Sequence, residues 1–285
     1  MYKELMLAFV SLLLFSSCAK SMEDIEPSTE NVGLFNVVWR AGVNDDKKQV
    51  IRDILNDMQF VEGGKFIMGA TLEQEQFARQ NEKPAHYIKL SDYHICKKEL
   101  TIQQISILTD TEFSIYENSV GSPQYTIDDY QYVISLMKSM SGVNFDLPTE
   151  AQWEFAARGG NLSKGYIYPG SNVFGNNARN ELGLYDMELG KSELCKDAYT
   201  EYTNVPLQMD PCKLQGIGKV IRGGNNSSTD ETKDYYSKYE SAHKFHSVHD
   251  DKRTSRVSAR SYVDDKQLSY LYKNVSCRIV INIKK

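Results

Sequence analysis

No segment of this 285-residue chain is long and apolar enough to cross a bilayer as a helix; the longest apolar run, Leu5 to Phe15, is about half of what a span needs. There is no run of basic residues, and the formal net charge is −5, so the electrostatic footprint of a nucleic-acid binder is missing. No internal repeat and no second-domain boundary interrupts the chain, and its length suits one sizeable domain with its own core. Cysteine is scarce: five occur, and none lies between Lys213 and Ser276. Any chemistry that needs a thiol in that long stretch is excluded.

What is there begins with a processing signal. Lys3 precedes the apolar Leu5–Phe15 segment, and Phe15-Ser16-Ser17-Cys18 reads as a bacterial lipobox, with Cys18 the thiol to be acylated. Residues 1–17 are therefore expected to be removed, which takes one Lys and one Glu and leaves the net charge unchanged. Residues 18–45 read as the lipidated N-terminus and a tether, since Ala19 to Asn31 carries Glu23, Asp24, Glu26, Pro27, Ser28, Thr29 and Glu30. Residues 46–285 read as the folded domain. Of the remaining cysteines, Cys96 and Cys277 sit in apolar, strand-like runs that suit buried free thiols. Cys195 and Cys212 are nearest in sequence and are the expected disulfide among three possible pairings.

The apolar periodicity predicts a helix from about Lys47 to Met58, a tight hairpin turning at Gly63-Gly64, and short strands at 87–90 and 93–96. Thr101 with Gln104 opens a capped helix, and a further helix is expected over Ile127 to Met140. Leu147-Pro148-Thr149-Glu150-Ala151-Gln152-Trp153-Glu154-Phe155-Ala156-Ala157-Arg158-Gly159-Gly160 is the most structured stretch. Thr149 is its N-cap, Gln152 the capping-box partner and Gly159-Gly160 the stop, with Trp153, Ala156 and Ala157 on one face. Beyond Gly159, Gly, Asn, Ser and Tyr dominate and periodicity fades until Val275 to Ile283. Helices early and loops with short strands late give an α+β fold rich in irregular structure.

Several ordered blocks resemble the formylglycine-generating enzyme, or sulfatase-modifying factor, family. They are Phe60 to Gly69; Asn81-Glu82-Lys83-Pro84 with His86, followed by Tyr93 to Thr101; the capped helix just described; Glu181 to Met187; Ile221-Arg222-Gly223-Gly224; and Arg256-Val257-Ser258-Ala259-Arg260. Together they cover roughly Met58 to Ile283. The resemblance implies a loop-rich α+β fold related to C-type lectin-like domains. Read by themselves, the Gly pairs serve turns, Asp186 and Glu99 cap or pair with local backbone, and Arg222 and Arg260 hold loops through fork-shaped hydrogen bonds.

The family's oxidation uses two copper-binding cysteines just before the Arg-x-x-x-Arg block, where soft thiolates suit Cu(I). Counting back from Arg256 puts Ser247 and Lys252 at those two positions, and a hydroxyl and an ammonium do not replace two thiolates. A family turn that helps hold calcium corresponds to Asp186–Cys195; Glu193 is kept there, but the Gly-Asn turn and both tryptophans are not. No cofactor is expected. The residues that could still take a transition metal are His243, His246 and His249, at i, i+3 and i+6 in an Asn225–Arg253 stretch that looks expanded. The reading that follows is a lipid-anchored protein of the bacterial outer membrane or envelope, periplasmic or surface-facing. Its non-catalytic domain binds a glycan or an envelope protein and no nucleic acid. The competing reading is an oxygen-dependent, metal-using oxidase of protein cysteine.

Overall fold

The computed structural model describes residues 26–111, 125–176, 179–224, 255–263 and 275–283. Its first elements are strands β1 (Ser28–Val32) and β2 (Phe35–Trp39), an antiparallel pair turning at Gly33-Leu34. Gly33 has φ +57°, a conformation that costs glycine nothing. Val32, Val37 and Trp39 point inward and are buried, while Arg52 forks onto Glu30 at 2.7 and 3.1 Å. This corrects the expected boundaries: 28–39 is no tether, and the packed domain starts well before residue 46. A polar, acidic segment is held because Val32 at the end of β1, and Val37 and Trp39 at alternating positions of β2, pack into the core.

Helix α1 (Asp45–Asn56) is capped by Asn44, whose side chain accepts from the Lys47 amide, and Val50, Ile51, Ile54 and Leu55 form its buried stripe. Next come β3 (Met58–Val61), β4 (Lys65–Met68), β5 (His86–Lys89) and β6 (Tyr93–Cys96). The expected β3–β4 hairpin does not form. β3 pairs with β6 and β4 with β5, so 58–68 and 86–96 are the two arms of one long ribbon that reverses within 69–85. Gly63-Gly64 is where one arm bends between two sheets. A Cβ on Gly63 would lie 2.4 Å from the Leu90 carbonyl oxygen, and the Gly63 amide donates to Asp92 at 2.8 Å. The glycines serve a close backbone crossing rather than a turn.

Helices α2 (Ile102–Thr109), α3 (Ile127–Ser141) and α4 (Glu150–Ala157) each begin with a complete capping box, from Thr101, Thr126 and Thr149. β7 (Phe145–Asp146) precedes α4. The remaining strands are β8 (Ser192–Tyr199), β9 (Gln208–Met209), β10 (Ile217–Arg222), β11 (Arg260–Val263), β12 (Val275–Ser276) and β13 (Val280–Asn282). Among the described residues they complete three sheets, in the orders β11-β10-β8-β12, β3-β6-β13-β7 and β4-β5-β9. The Val275–Ile283 stretch thus serves two sheets, one through β12 and the other through β13. No helix among the described residues is long and apolar enough to cross a membrane.

Two apolar clusters form the core. One lies among the β1–β2 hairpin, α1, α2, α3 and β7; the other surrounds α4. All eight residues of α4 are buried, so the helix is enclosed on every side rather than on the Trp153 face alone. Trp153 is fully buried, as its spacing predicts, and Gly223 lets the chain pass 3.3 Å from the indole at the position a Cβ would take.

Candidate functional site

An enclosed helix that carries Glu150 and Glu154 must find positive partners for them, and it does. Arg260 forks onto Glu150 through Nε and Nη2 at 2.7 and 2.8 Å. Arg222 reaches Glu154 through Nη2 and Glu150 through Nη1, and also donates to the Val257 and Ser258 carbonyls at 3.1 and 3.2 Å. Arg158 bonds Glu154 at 2.9 Å and the Gly69 carbonyl at 2.7 Å. Arg260 also stacks over Tyr202, 3.9 Å from its ring centre. Arg222 and Arg260 therefore hold loops through guanidinium bonds, as their setting in the sequence predicts.

Arg256 repeats the arrangement. Its Nη1 bonds Glu82 at 2.8 Å, its Nη2 bonds the other Glu82 oxygen, and the Ser258 hydroxyl donates to the same carboxylate at 2.6 Å. Burial alone would raise the Glu82 pKa, but Arg256 and Ser258 outweigh it and hold it below the usual carboxylate range. These bonds fix 255–260, the segment that directly follows the stretch holding Ser247 and Lys252. The ends of that stretch are close together: a Cβ on Gly224 would lie 2.3 Å from Ser255 Oγ. His243, His246, His249, Ser247 and Lys252 themselves lie outside the described residues, as does Cys18.

Arg278 makes a third buried pair. It forks onto Glu193 at 2.9 and 2.6 Å and gives its other donors to the Cys96 and Tyr185 carbonyls, each at 2.9 Å. The Trp153 indole N–H donates to Glu193 Oε2 at 2.8 Å. Both oxygens of Glu193 are engaged by protein donors. The sequence did carry a signal for this pair that went unread: Arg278 is the one charge inside the apolar Val275–Ile283 run, and such a charge is rarely buried unpaired.

Glu99 stands apart. Its Oε1 is buried and has no hydrogen-bond partner, so the expected local cap is not made by that oxygen. Burial chiefly, and then the neighbouring Glu193 charge, push the Glu99 carboxyl up to about 7. It borders a cavity of about 940 Å³ between the start of α2, α3 and the 186–191 loop.

The thiols correct one expectation. Cys96, Cys195, Cys212 and Cys277 are all free, so the Cys195–Cys212 disulfide is not formed. Cys195 is sealed in the core around α4, whereas Cys212 sits half-buried in a loop near Asp197, Lys196 and Lys219. Burial, with Asp57 second, raises the Cys96 thiol to about 12; burial, with Asp197 second, raises Cys212 to about 11. Cys195 and Cys277 are also pushed well up by burial.

The class defined by this architecture is a loop-rich α+β domain of C-type lectin-like type, with short strands and a few capped helices. Residues 44–179 match the sulfatase-modifying factor enzyme 1-like domain. Among curated relatives, the serine/threonine-protein kinase Pkn1 of Chlamydia trachomatis is 28% identical over 60% of this chain and 33% of the kinase. The chaperone protein LppX of Paenibacillus barcinonensis is 26% identical over 50% of this chain and 58% of the relative. The chain thus spans about a third of the length of the Chlamydia kinase. Among solved structures, Treponema denticola variable protein 1 superimposes with a TM-score of 0.56 at 16% identity, over 89% of this chain and 98% of the other. PvdO from Pseudomonas aeruginosa does so with a TM-score of 0.55 at 15% identity, over 79% and 94%. At these identities the likeness is one of fold.

Proposed function

We propose that this is a lipid-anchored envelope protein whose sulfatase-modifying-factor domain binds or assembles a partner, a glycan or an envelope protein, rather than oxidising cysteine. One observation carries the reading. The arginine frame that would support the reacting segment is complete, yet no cysteine occurs between Lys213 and Ser276. The remaining described thiols do not substitute, because a thiol raised to about 11 or beyond holds almost no thiolate at neutral pH. The copper chemistry of the family therefore lacks its donor set. The engagement of both Glu193 oxygens likewise supports a turn that works without calcium.

The chaperone named among the relatives supports a role in binding or assembly. Most of the kinase relatives' length lies outside the match, and phosphoryl transfer is not proposed here. The deciding experiment incubates the full chain with a cysteine-containing peptide, oxygen and Cu(I), and follows the peptide by mass. No aldehyde product is expected; multiple turnovers would establish the oxidase instead. Anchoring is tested separately. Cys18→Ala should move the protein out of the membrane fraction, because acyl chains supply the attachment. Unchanged partition, with no lipid mass on the N-terminal peptide, would overturn the anchor.

A further inference from the structure

We propose that the outward face of the β4-β5-β9 sheet is the docking surface for an acidic, apolar segment of a partner protein. The strand register assembles that face. Ile67 pairs with Tyr87 and Lys65 with Lys89 across β4 and β5, and Lys89 pairs with Met209 across β5 and β9. Leu207, two residues before Met209, continues the row of Ile67 and Tyr87, since alternate residues of a strand share a face. The residues between them turn inward: Met68, His86 and Ile88 are buried, and Phe66 packs on the core around α4.

Ile67, Tyr87, Leu207 and Met209 are 37%, 50%, 45% and 56% exposed. Large apolar side chains exposed singly are ordinary, but four gathered on one sheet face mark a contact surface. Tyrosine and methionine are also among the residues that protein contacts favour.

Charge selects the partner. Both charged side chains of the two rows, Lys65 and Lys89, are exposed cations, in a chain whose formal net charge is −5. The Lys65 ammonium stands over the Tyr87 ring, 4.3 Å from its centre, which holds the charge against the apolar patch. The nearest acid, Asp210, is already committed: it accepts from the Ser91 amide at 2.6 Å and from the Ser91 hydroxyl at 2.8 Å. A second copy of this chain would bring its own Lys65 and Lys89 into the same interface, like charge against like. A sugar ring seeks an open aromatic face, and the ring on this surface is already shared with Lys65, beside three aliphatic side chains. Carboxylates that meet the two lysines, and apolar side chains that cover Ile67, Leu207 and Met209, describe an acidic, apolar polypeptide. This surface rests on the binding role proposed above. The peptide-oxidation assay and the titration below use different substrates, so either can fail without the other.

The test titrates a blocked Glu-Leu-Asp-Leu-Glu-Leu peptide, its Lys-Leu-Lys-Leu-Lys-Leu counterpart and a heparin hexasaccharide into the full chain at low salt, followed by amide chemical shifts. The acidic peptide is expected to bind at least about tenfold more tightly than the basic one, and to lose that margin as salt rises. Its shifts should centre on Ile67, Tyr87, Lys89 and Met209. Because both lysines are exposed, the double variant Lys65→Glu, Lys89→Glu should fold and reverse the preference. Equal affinity for the two peptides, an unchanged preference in the double variant, shifts confined to other elements, or no binding at millimolar peptide would overturn the proposal. Tighter binding of the hexasaccharide at the same amides would overturn it in favour of an acidic glycan. A dimer in sedimentation that Met209→Glu dissolves would overturn it in favour of a second copy. Should the double variant fail to fold, the location of the parent's shifts and the margin between the two peptides decide it alone.

Discussion

Two regions of this domain bury carboxylates, and they treat them oppositely. Around α4 and the 255–260 segment, Glu82, Glu150 and Glu154 each meet a guanidinium fork or its equivalent, with hydroxyls and amides taking the remaining lone pairs. At the start of α2, Glu99 is held beside a third pair, Arg278–Glu193, that is already complete. A fully paired carboxylate is architecture, because moving it away would strand its partner. Glu99 has only weaker support, from Ser276 and the charges of Arg278 and Lys191, and burial outweighs it, so a proton relieves the cost. The contrast separates carboxylates held ionised by guanidinium forks from one that burial holds near neutrality.

The largest effect should come from breaking the scaffold. Glu82→Ala leaves Arg256 charged, buried and unpaired, and strands Ser258; a loss on the order of 3–5 kcal/mol in a urea melt is expected. A loss under about 1 kcal/mol would erase the distinction between the two regions, since the Glu82 pair would then contribute no more than a surface contact.

Glu99 should respond with the opposite sign. Its folded pKa is raised from 4.5 to about 7, so between those values the folded chain holds a proton that the unfolded chain has released. That stabilisation is full below about pH 4.5 and is lost as the pH rises through 7. Glu99→Gln should therefore stabilise the domain at pH 8, on the order of 1–3 kcal/mol, and change little at pH 5. Melting curves of parent and variant at the two pH values check this. A variant less stable than its parent at pH 8 would mean that the contacts from Ser276, Arg278 and Lys191 outweigh burial, and the comparison would fail.

The smallest effect concerns the thiols. Because Cys96, Cys195, Cys212 and Cys277 are free, a reductant should shift the melting temperature by less than about 1 °C, where a disulfide would have contributed about 2–4 kcal/mol. Thiol counting on the unfolded chain, without reductant, gives the independent check. Fewer than four reactive thiols downstream of Cys18 would restore a bridge.

Local rules read some elements well. The capping boxes at Thr101 and Thr149 and the apolar stripe of α1 were visible because each is written within a few residues. The same locality misled at Gly63-Gly64. Two glycines between two apolar runs have the pattern of a hairpin, and nothing nearby reveals that the Leu90 backbone lies 2.4 Å from where a Cβ would be. It misled again at 28–31, where acidic and polar residues read as a tether although the strand's one buried apolar side chain, Val32, comes last.

By itself, the sequence determined the capped helices, the family blocks and the lack of any thiol between Lys213 and Ser276, since composition and short spacing are complete before the chain folds. Tertiary structure alone decided which strand joins which sheet and which charge meets which. Glu82 and Arg256 are 174 residues apart, and Glu193 and Arg278 are 85 apart. Arg278 forks onto Glu193 rather than onto Glu99, which lies close enough to feel the charges of both. A pairing at such separations depends on where the backbone places each side chain and on what else competes for it, and neither is a property of any local segment.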